Sequence, residues 1–342
     1  GGTPDTTVKS YWDGEIQWFT PSEIGKTKYV DSSLRTITEA GLNNSSAKRL
    51  PPNTILLSSR ATIGECSLSL KECATNQGFQ SLVSKKCNVD FLYYLIQTKK
   101  NDLIRKSCGS TFLEISANEV RKIQVSVPSG VEQQKIAGLL SLIDERIATQ
   151  NKIIEKLQSL IKGIRNEIFG KLRKSIGFNA IVGDVLQYEQ PQSYIVEDTE
   201  YTKEGTPVLT ANKAFILGYT SEVDGIYDKG NCIIFDDFTL DCKYVDFPFK
   251  VKSSAIKILT AKSNELLRYV YEFLKYLDLS TEEHKRHYIA ETQNQGFILP
   301  SAKTVGMISH TFSALSLRLS STVQLRNKYE AQKQHLLRQM FI

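Results

Sequence analysis

The sequence predicts a mixed α/β (α+β) protein in which two β-rich domains are separated by two long helices that pair antiparallel as a coiled coil. Three observations predict this fold: a helical run with coiled-coil spacing in mid-chain, a second such run at the end, and short β-type segments before each run. We therefore expect a pseudo-twofold repeat. The expected boundaries are a first domain at 1–127, a central helix at 128–174, a second domain at 175–299 and a C-terminal helix at 300–342.

The two domains are predicted from short segments rich in β-branched and aromatic residues and punctuated by Gly, Pro, Asn and Asp. In the first domain these segments are 16–20, 54–58, 65–70, 78–83 and 123–127. In the second domain they are 207–210, 232–235, 244–249 and 255–259. Each domain also contains a short amphipathic helical pattern, "FLYYL" at 91–95 and "FLKYL" at 273–277. We expect a curved antiparallel sheet with helices beside it in each domain.

The central helix is predicted from a capping signal and a sustained apolar seam. Ser129 and Glu132 match the S-x-x-E capping box, in which both side chains satisfy backbone amides of the first turn. Apolar residues then recur at steps of four and three, interrupted by Gln150, which keeps one seam facing a partner helix. Gly170 is expected to end the helix. The residues expected to pair are Ile136, Leu140, Ile143, Ile147, Ile154, Leu157 and Ile161.

The C-terminal helix is predicted as the partner because the central pattern recurs 172 positions later, with Ser129 matching Ser301. Its seam is the weaker one, since Arg326, Tyr329 and Lys333 occupy positions that are apolar in the central helix. The residues expected to pair from this helix are Ile308, Phe312, Leu315, Leu319 and Leu336.

The composition is that of a globular protein, with 41% hydrophobic and 23% charged residues in 342, enough for two domain cores. The net charge of +6 permits a nucleic-acid partner. No apolar stretch approaches a membrane span, and the first residues do not resemble a signal peptide. The six cysteines form no C-x-x-C pair. We therefore expect a cytoplasmic protein with reduced thiols and no metal site.

Several catalytic motifs are missing from the sequence. It contains no glycine-rich cofactor turn, no polar-Pro-Pro-aromatic segment and no P-loop. His284 and His287 could share a helix face, but no neighbouring pattern completes a metal site. Asp237 followed by Asp241 and Lys243 superficially matches the carboxylates and lysine of metal-dependent nucleases. Their short separation favours a hairpin turn, so we expect no catalytic residue.

Six segments together resemble a known protein family. They are "GGTPDTTVKSYWDGEIQWFTPSEIG", "LPPNTILLSSRATIGECSL", "NQGFQSLV" and "VPSGVEQQKIAGLLSLIDERI" in the first half, and "GTPVLTANKAFILGYT" and "NCIIFDDFTLDCKYVDF" in the second. This combination resembles the specificity subunit of Type I restriction–modification systems. The resemblance extends over essentially the whole chain.

The resemblance implies a DNA-binding specificity subunit without catalysis of its own. Its two target-recognition domains would each read one half of an asymmetric bipartite target in double-stranded DNA, and the paired helices would set the spacer. Two methyltransferase subunits and restriction/translocase subunits would be its partners, with no membrane involved. S-adenosylmethionine, Mg²⁺ and ATP would be used by these partners and none by this chain. Because "VGDVLQYEQP" precedes the second domain's core, an equivalent first strand is expected before Gly1.

Polar and basic residues in the loops are the candidates for DNA contact, because phosphate contacts position a protein and base-edge contacts specify the sequence. Arg60 could pair with guanine, and Asn76 and Gln77 could pair with adenine or stabilise a turn instead. In the first domain the candidates are Thr20, Ser22, Ser58, Ser59, Arg60, Asn76, Gln77, Lys106, Ser110 and Thr111. In the second they are Thr210, Asn212, Lys213, Asp237, Thr239, Lys252, Ser253, Lys285, Arg286 and His287.

Two other functions remain open at the level of sequence. A coiled-coil scaffold or adaptor protein would keep the two helices but would not read DNA. A metal-dependent nuclease would depend on the loop between Asp237 and Lys243.

Overall fold

The computed structural model describes residues 1–109, 113–211, 214–279 and 287–341. Its α-helices are α1 (Glu39–Asn43), α2 (Val89–Thr98), α3 (Lys100–Arg105), α4 (Ala117–Arg121), α5 (Gly130–Ser175), α6 (Val182–Val185), α7 (Asn264–Leu277) and α8 (Ala302–Met340). Its strands are β1 (Trp12–Phe19), β2 (Tyr29–Val30), β3 (Arg35–Ile37), β4 (Ile55–Leu57), β5 (Cys66–Ser69), β6 (Cys73–Thr75), β7 (Ala180–Ile181), β8 (Gln187–Glu189), β9 (Thr206–Leu209), β10 (Ile216–Thr220), β11 (Cys232–Asp236), β12 (Cys242–Val245), β13 (Lys250–Val251), β14 (Ile256–Thr260) and β15 (Gly296–Phe297).

The chain folds into two compact units. Unit 1 consists of residues 1–151 and 324–342, and unit 2 consists of residues 152–323. The boundaries predicted from the sequence separate helices from domains, whereas the packing groups each domain with one half of each long helix. The predicted mixed α/β class with a long central helix is confirmed. Among the described helices, none combines the length and the apolar character needed to cross a lipid bilayer.

Unit 1 contains two small sheets. In the first sheet β1 pairs antiparallel with β3 and parallel with β6. In the second, β5 pairs antiparallel with β4 and parallel with β2. The strand expected at 78–83 is reduced to isolated bridges between Ile55 and Leu82 and between Ser58 and Phe79. The strand expected at 123–127 is wrong: this segment is irregular, and its two valines are exposed between α4 and α5.

Unit 2 repeats the arrangement of the first sheet. There β9 pairs antiparallel with β10 and parallel with β13. A second sheet has the strand order β12-β11-β14-β8, and β15 pairs with β7. Because β9 takes the place of β1, β10 of β3 and β13 of β6, this three-stranded sheet has the same strand topology in both units. The sequence periodicity predicted a repeat of the helices, and the structure extends it to the sheets.

The long helices pack antiparallel inside unit 1. Leu140 of α5 lies in one core with Leu337 of α8, and the Asp144 carboxylate pairs with the Lys333 ammonium at 2.7 Å. Two residues further along α5, the Arg146 guanidinium donates to the Tyr329 hydroxyl at 3.5 Å, and Tyr329 lies four residues before Lys333 on α8. Positions therefore rise along α5 as they fall along α8. The predicted seam residues of this unit, Ile136, Leu140, Ile143, Ile147 and Leu336, are buried or half-buried.

In unit 2 the same two helices pack around aromatic side chains. Ile161 and Phe169 of α5 share a core with Ile308 and Phe312 of α8. Phe169 is fully buried, and its ring centroid lies 5.3 Å from that of Tyr269 on α7. The remaining seam residues of this unit, Ile154, Leu157, Leu315 and Leu319, are also buried or half-buried.

The two ends of α5 are set by local chemistry. At its start the Ser129 amide donates to the Glu132 carboxylate at 3.1 Å and the Glu132 amide to the Ser129 hydroxyl at 3.4 Å, as the capping box predicts. The predicted end at Gly170 is wrong, because α5 continues to Ser175. Burial of the flanking apolar side chains outweighs the roughly 1 kcal/mol preference of a helix interior for alanine over glycine. Gly177, with φ +73°, follows the true end.

Candidate nucleic-acid interface

The first edge is the surface of unit 1 that carries Thr20, Asn76, Arg60 and Glu114. Because β1 and β6 are parallel, their carboxyl ends meet, and the Asn76 amide donates to the Phe19 carbonyl at 3.1 Å. The segment after β4 lies beside them through the Ser59 amide, which donates to the Gly78 carbonyl at 2.8 Å. The Ser59 carbonyl in turn accepts from the Ile115 amide at 3.1 Å. Residues far apart in the sequence are thus brought together by backbone bonds.

An ion pair occupies this edge. The Arg60 guanidinium lies 2.8 Å from the Glu114 carboxylate, and both side chains are partly exposed. The hydrogen bond that the guanidinium donates to the Glu114 carboxylate raises the pKa of Arg60 above its ordinary value, at which the group is already charged. The Ser58 hydroxyl donates to the Arg60 carbonyl at 2.8 Å, and Ala61 adopts a φ of +56°. The turn is therefore fixed, and it presents a charged planar donor group to solvent.

Two other candidates of the first edge are engaged locally. Thr20 donates through its amide and hydroxyl to the Glu23 carboxylate, at 2.8 and 2.7 Å. The Asn76 amide oxygen accepts from the Gly78 backbone amide at 2.8 Å, which is the turn-stabilising role considered above. Gln77 is exposed, and its side-chain oxygen accepts from the Thr3 hydroxyl at 2.8 Å.

The second edge is the surface of unit 2 that carries Thr210, Lys252 and Phe238. The Lys252 amide donates to the Leu209 carbonyl at 3.1 Å, as the Asn76 amide does to Phe19. The Asp237 amide donates to Ala255 at 2.9 Å, and the Asp237 carbonyl accepts from His287 at 3.1 Å. These bonds match those of Ser59 one for one. The two edges are therefore built on the same backbone frame.

Burial removes four predicted residues from direct contact with DNA. Ser58, Ser59, Asp237 and His287 are all almost completely buried. The Asp237 carboxylate accepts from the backbone amides of His287 and Tyr288, at 3.1 and 2.7 Å, and lies 3.4 Å from the Lys257 ammonium. These side chains hold the frame together because the loops they belong to turn inward at these positions.

The hairpin between β11 and β12 does not resemble a nuclease centre. The Asp236 carboxylate accepts from the amides of Phe238 and Thr239, at 3.0 and 2.9 Å, so it serves the turn. Asp237 is engaged as described above. Within the described ranges, no group of three or more His, Cys, Asp or Glu could hold a metal ion. The turn predicted from the spacing is therefore what the structure contains.

The remaining candidates are spread over both edges. Ser22, Lys106, Thr239, Lys252 and Ser253 are exposed, and Thr210 is half-buried. Six candidates lie outside the described residues: Ser110, Thr111, Asn212, Lys213, Lys285 and Arg286. Sequence reasoning missed Glu114 and Phe238. Glu114 carries no local sequence signal, since only a backbone bridge between distant segments brings it to Arg60. Phe238 could have been noticed as an aromatic residue inside a polar turn.

The four buried cysteines supply no reactive thiol to either edge. Burial raises the pKa of Cys66 and Cys232 to about 12, and that of Cys73 and Cys242 to about 11. Such thiols are protonated at neutral pH and are poor nucleophiles. All six cysteines are free in the structure.

Comparison with known proteins gives one consistent result. Residues 1–159 match the family model of the Type I restriction modification DNA specificity domain. The chain is 32% identical over 290 residues to the Type I restriction enzyme MjaIX specificity subunit of Methanocaldococcus jannaschii, covering 78% of this chain and 64% of that protein. It is 39% identical over 164 residues to the EcoR124I/EcoR124II specificity subunit of Escherichia coli, covering 43% of this chain and 41% of that protein.

The fold has a match among solved structures. The S subunit of a Type I restriction-modification system from M. genitalium superposes with a TM-score of 0.63 at 17% identity, covering 97% of this chain and 94% of that one. This likeness shows the fold. The chain spans less than two thirds of the length of the two curated relatives above.

Proposed function

We propose that this chain, which matches the family model of the Type I restriction modification DNA specificity domain over residues 1–159 and is 32% identical to a Type I specificity subunit over 290 residues, binds double-stranded DNA and that each edge reads one half of a bipartite target. The observation that carries this proposal is the shared backbone frame of the two edges. In both units the ends of two parallel strands and one hairpin turn are joined by equivalent hydrogen bonds. One frame with different side chains suits two half-sites of different sequence.

The chemistry of the first edge suits base reading. A guanidinium can donate two hydrogen bonds to O6 and N7 of guanine in the major groove, a pairing that discriminates against other bases. Arg60 is presented from a fixed turn and is oriented by Glu114. Exposed Lys106 in unit 1, like exposed Lys252 on the second edge, suits phosphate contacts, which position the protein without specifying sequence. The net charge of +6 favours such contacts.

Paired long helices would set the distance between the half-sites. Their seam needs an apolar residue every three or four positions, so length changes must come in whole heptads to preserve pairing. Inserting one heptad near Gln150 and one near Thr322 should lengthen the helices by roughly 10 Å, about three base pairs of DNA. We expect the methylated motif to gain that spacing and keep its half-sites, as read by methylome sequencing with partner subunits supplied. Methylation at the original spacing with full efficiency would contradict this role.

The chain would act without catalysis, as one component of a cytoplasmic complex. Two methyltransferase subunits and restriction/translocase subunits would be its partners, and they would use S-adenosylmethionine, Mg²⁺ and ATP. This proposal rests on the absence of the corresponding motifs from the sequence and on the local engagement of Asp236 and Asp237. Methyl transfer from labelled S-adenosylmethionine by the purified chain alone would overturn it.

The direct test is selection of duplexes from a random library by the purified chain. We expect enrichment of two short conserved blocks separated by unspecified base pairs, with affinity that falls as salt rises. A scaffold without DNA-reading function would enrich no sequence. Cleavage of plasmid in the presence of Mg²⁺ would favour the nuclease instead.

A further inference from the structure

Phe238 occupies the place in unit 2 that Arg60 occupies in unit 1. The residue before each has the same backbone partners: Ser59 bonds to Gly78 and Ile115, and Asp237 bonds to Ala255 and His287. Arg60 and Phe238 are therefore the first residues beyond the shared frame. The Arg60 side chain is partly exposed, and 38% of the Phe238 residue is accessible to solvent.

The Phe238 ring stands on a rigid turn. The Asp236 carboxylate accepts from the Phe238 amide at 3.0 Å, and the Asp236 amide closes the turn on the Asp241 carbonyl at 2.8 Å. Leu240 takes a φ of +60°, as Ala61 does in the other turn. Beneath the turn, Asp237 is held by two backbone amides and Lys257. A large apolar group is thus exposed on a surface that is fixed from below.

We propose that Phe238 recognises a thymine by packing against its C5 methyl group in the major groove. A phenyl ring cannot donate or accept a conventional hydrogen bond, so among base edges its matching surface is the apolar one. In the major groove of DNA the thymine methyl is that surface, and phenylalanine is one of the side chains that contacts it. The inference rests on the proposed function, since it names a base that the second edge would recognise in DNA.

The test replaces thymine by deoxyuridine, which pairs identically but lacks the C5 methyl. Duplexes carrying the motif selected by the wild-type protein are prepared with each thymine replaced in turn, and their affinities are measured. Losing one buried methyl should weaken wild-type binding about fourfold at one position. Phe238→Ala should bind the thymine duplex more weakly and should bind thymine and uracil equally at that position. Phe238→Leu, which keeps an apolar group, should retain part of the discrimination.

Phe178→Ala is the matched control. Phe178 is another exposed aromatic residue of unit 2, 49% accessible, located between α5 and β7 and in contact with the Arg173 guanidinium. Its removal should leave the thymine–uracil difference unchanged. Thermal melting of each variant checks that the fold is preserved.

Three results would overturn the proposal. Phe238→Ala could keep full discrimination at every thymine, or it could weaken binding to all duplexes equally. It could also leave DNA binding unchanged while weakening assembly with methyltransferase subunits, which would make the ring a protein contact. In each case the wild-type protein still selects a motif, so the proposed function survives. A wild-type protein that selects no motif would instead refute both.

Discussion

The two edges share a backbone frame but differ in what they present. In unit 1 the turn after Ser58 has six residues before the closing Glu65, and it carries Arg60 paired with Glu114. In unit 2 the turn after Asp236 has four residues before the closing Asp241, and it carries Phe238. A charged donor therefore stands where the other unit has an apolar ring. The frame accommodates either because its bonds are all made by the backbone.

The support beneath the two edges differs in the same way. Ser59 is buried, and its hydroxyl has no hydrogen-bond partner among the described residues. At the equivalent position Asp237 is buried with its carboxylate bonded to two amides and close to Lys257. The Lys257 ammonium also donates to the Gln190 side chain at 2.8 Å. The second edge thus rests on a buried ionic cluster that the first edge lacks among its described residues.

Each unit also links its domain helix to α5 through a hydrogen-bonded carboxylate, again with different chemistry. In unit 2 Glu272 of α7 accepts from Arg165 of α5, at 2.9 and 2.7 Å, and from Arg268 at 2.8 Å. In unit 1 Tyr94 of α2 donates to Asp144 of α5 at 2.6 Å. The anchor of unit 2 therefore involves two cations and one anion, and that of unit 1 a neutral donor.

The largest loss of stability should come from Glu272→Ala, which breaks the anchor of unit 2. Glu272 is 1% exposed, and its removal leaves two poorly solvated guanidinium groups without their anion. Breaking a buried ion pair in this way costs about 3–5 kcal/mol. Urea denaturation followed by circular dichroism should show this loss in the free energy of unfolding. The control Glu167→Ala removes an exposed partner of Lys171 on α5 and should change stability little. Equal effects of the two variants would contradict the anchoring role.

A smaller effect is expected for Tyr94→Phe in unit 1. Burial and the hydrogen bond to Asp144 raise the pKa of Tyr94, so the phenol stays protonated and donates. Loss of this hydrogen bond to a charged group should lower the free energy of unfolding by about 1.5–3 kcal/mol. The cost stays below that of Glu272→Ala because Asp144 keeps its ion pair with Lys333. Tyr29→Phe removes a similar bond to Asp90 from an exposed ring and is the control. If the control destabilises as much as Tyr94→Phe, the anchor of unit 1 has no special role.

The smallest effect should come from Glu114→Gln, which weakens the contact that orients Arg60 but leaves the Arg60 side chain in place. We expect a severalfold loss of discrimination at the base pair that Arg60 is proposed to read and little change in overall affinity. Glu65→Gln is a closely matched control, since the Glu65–Lys100 pair has nearly the same exposure. The readout is the preferred sequence in duplex selection. A uniform fall in affinity would make Glu114 a structural residue.

The long helices could be predicted because their signals are local. The capping residues at Ser129 and the seam from Ile136 onwards follow a fixed period, and both are present in the structure. The end of α5 could not be predicted from Gly170 alone, because packing of Phe169 against α7 decides it.

The edges could be predicted only in part, because they depend on distant residues. Phe19 corresponds to Leu209, Ser59 to Asp237 and Ile115 to His287, which gives offsets of 190, 178 and 172. No single shift of the sequence aligns them, since the loops between them differ in length. Residue type alone was enough to propose Arg60, Asn76 and Lys252. The burial of Ser59 and Asp237 follows from backbone hydrogen bonds to distant segments, which no local pattern shows.

The most direct test of two separate reading edges is duplex selection by Arg60→Ala and Phe238→Ala, compared with the wild-type protein. Arg60→Ala should relax one G·C position by roughly 1–3 kcal/mol and leave the other half-site unchanged. Phe238→Ala should relax a position in that other half-site and leave the first unchanged. If both variants relax the same half-site, or if neither changes the selected motif while the fold is preserved, the two edges do not read two half-sites.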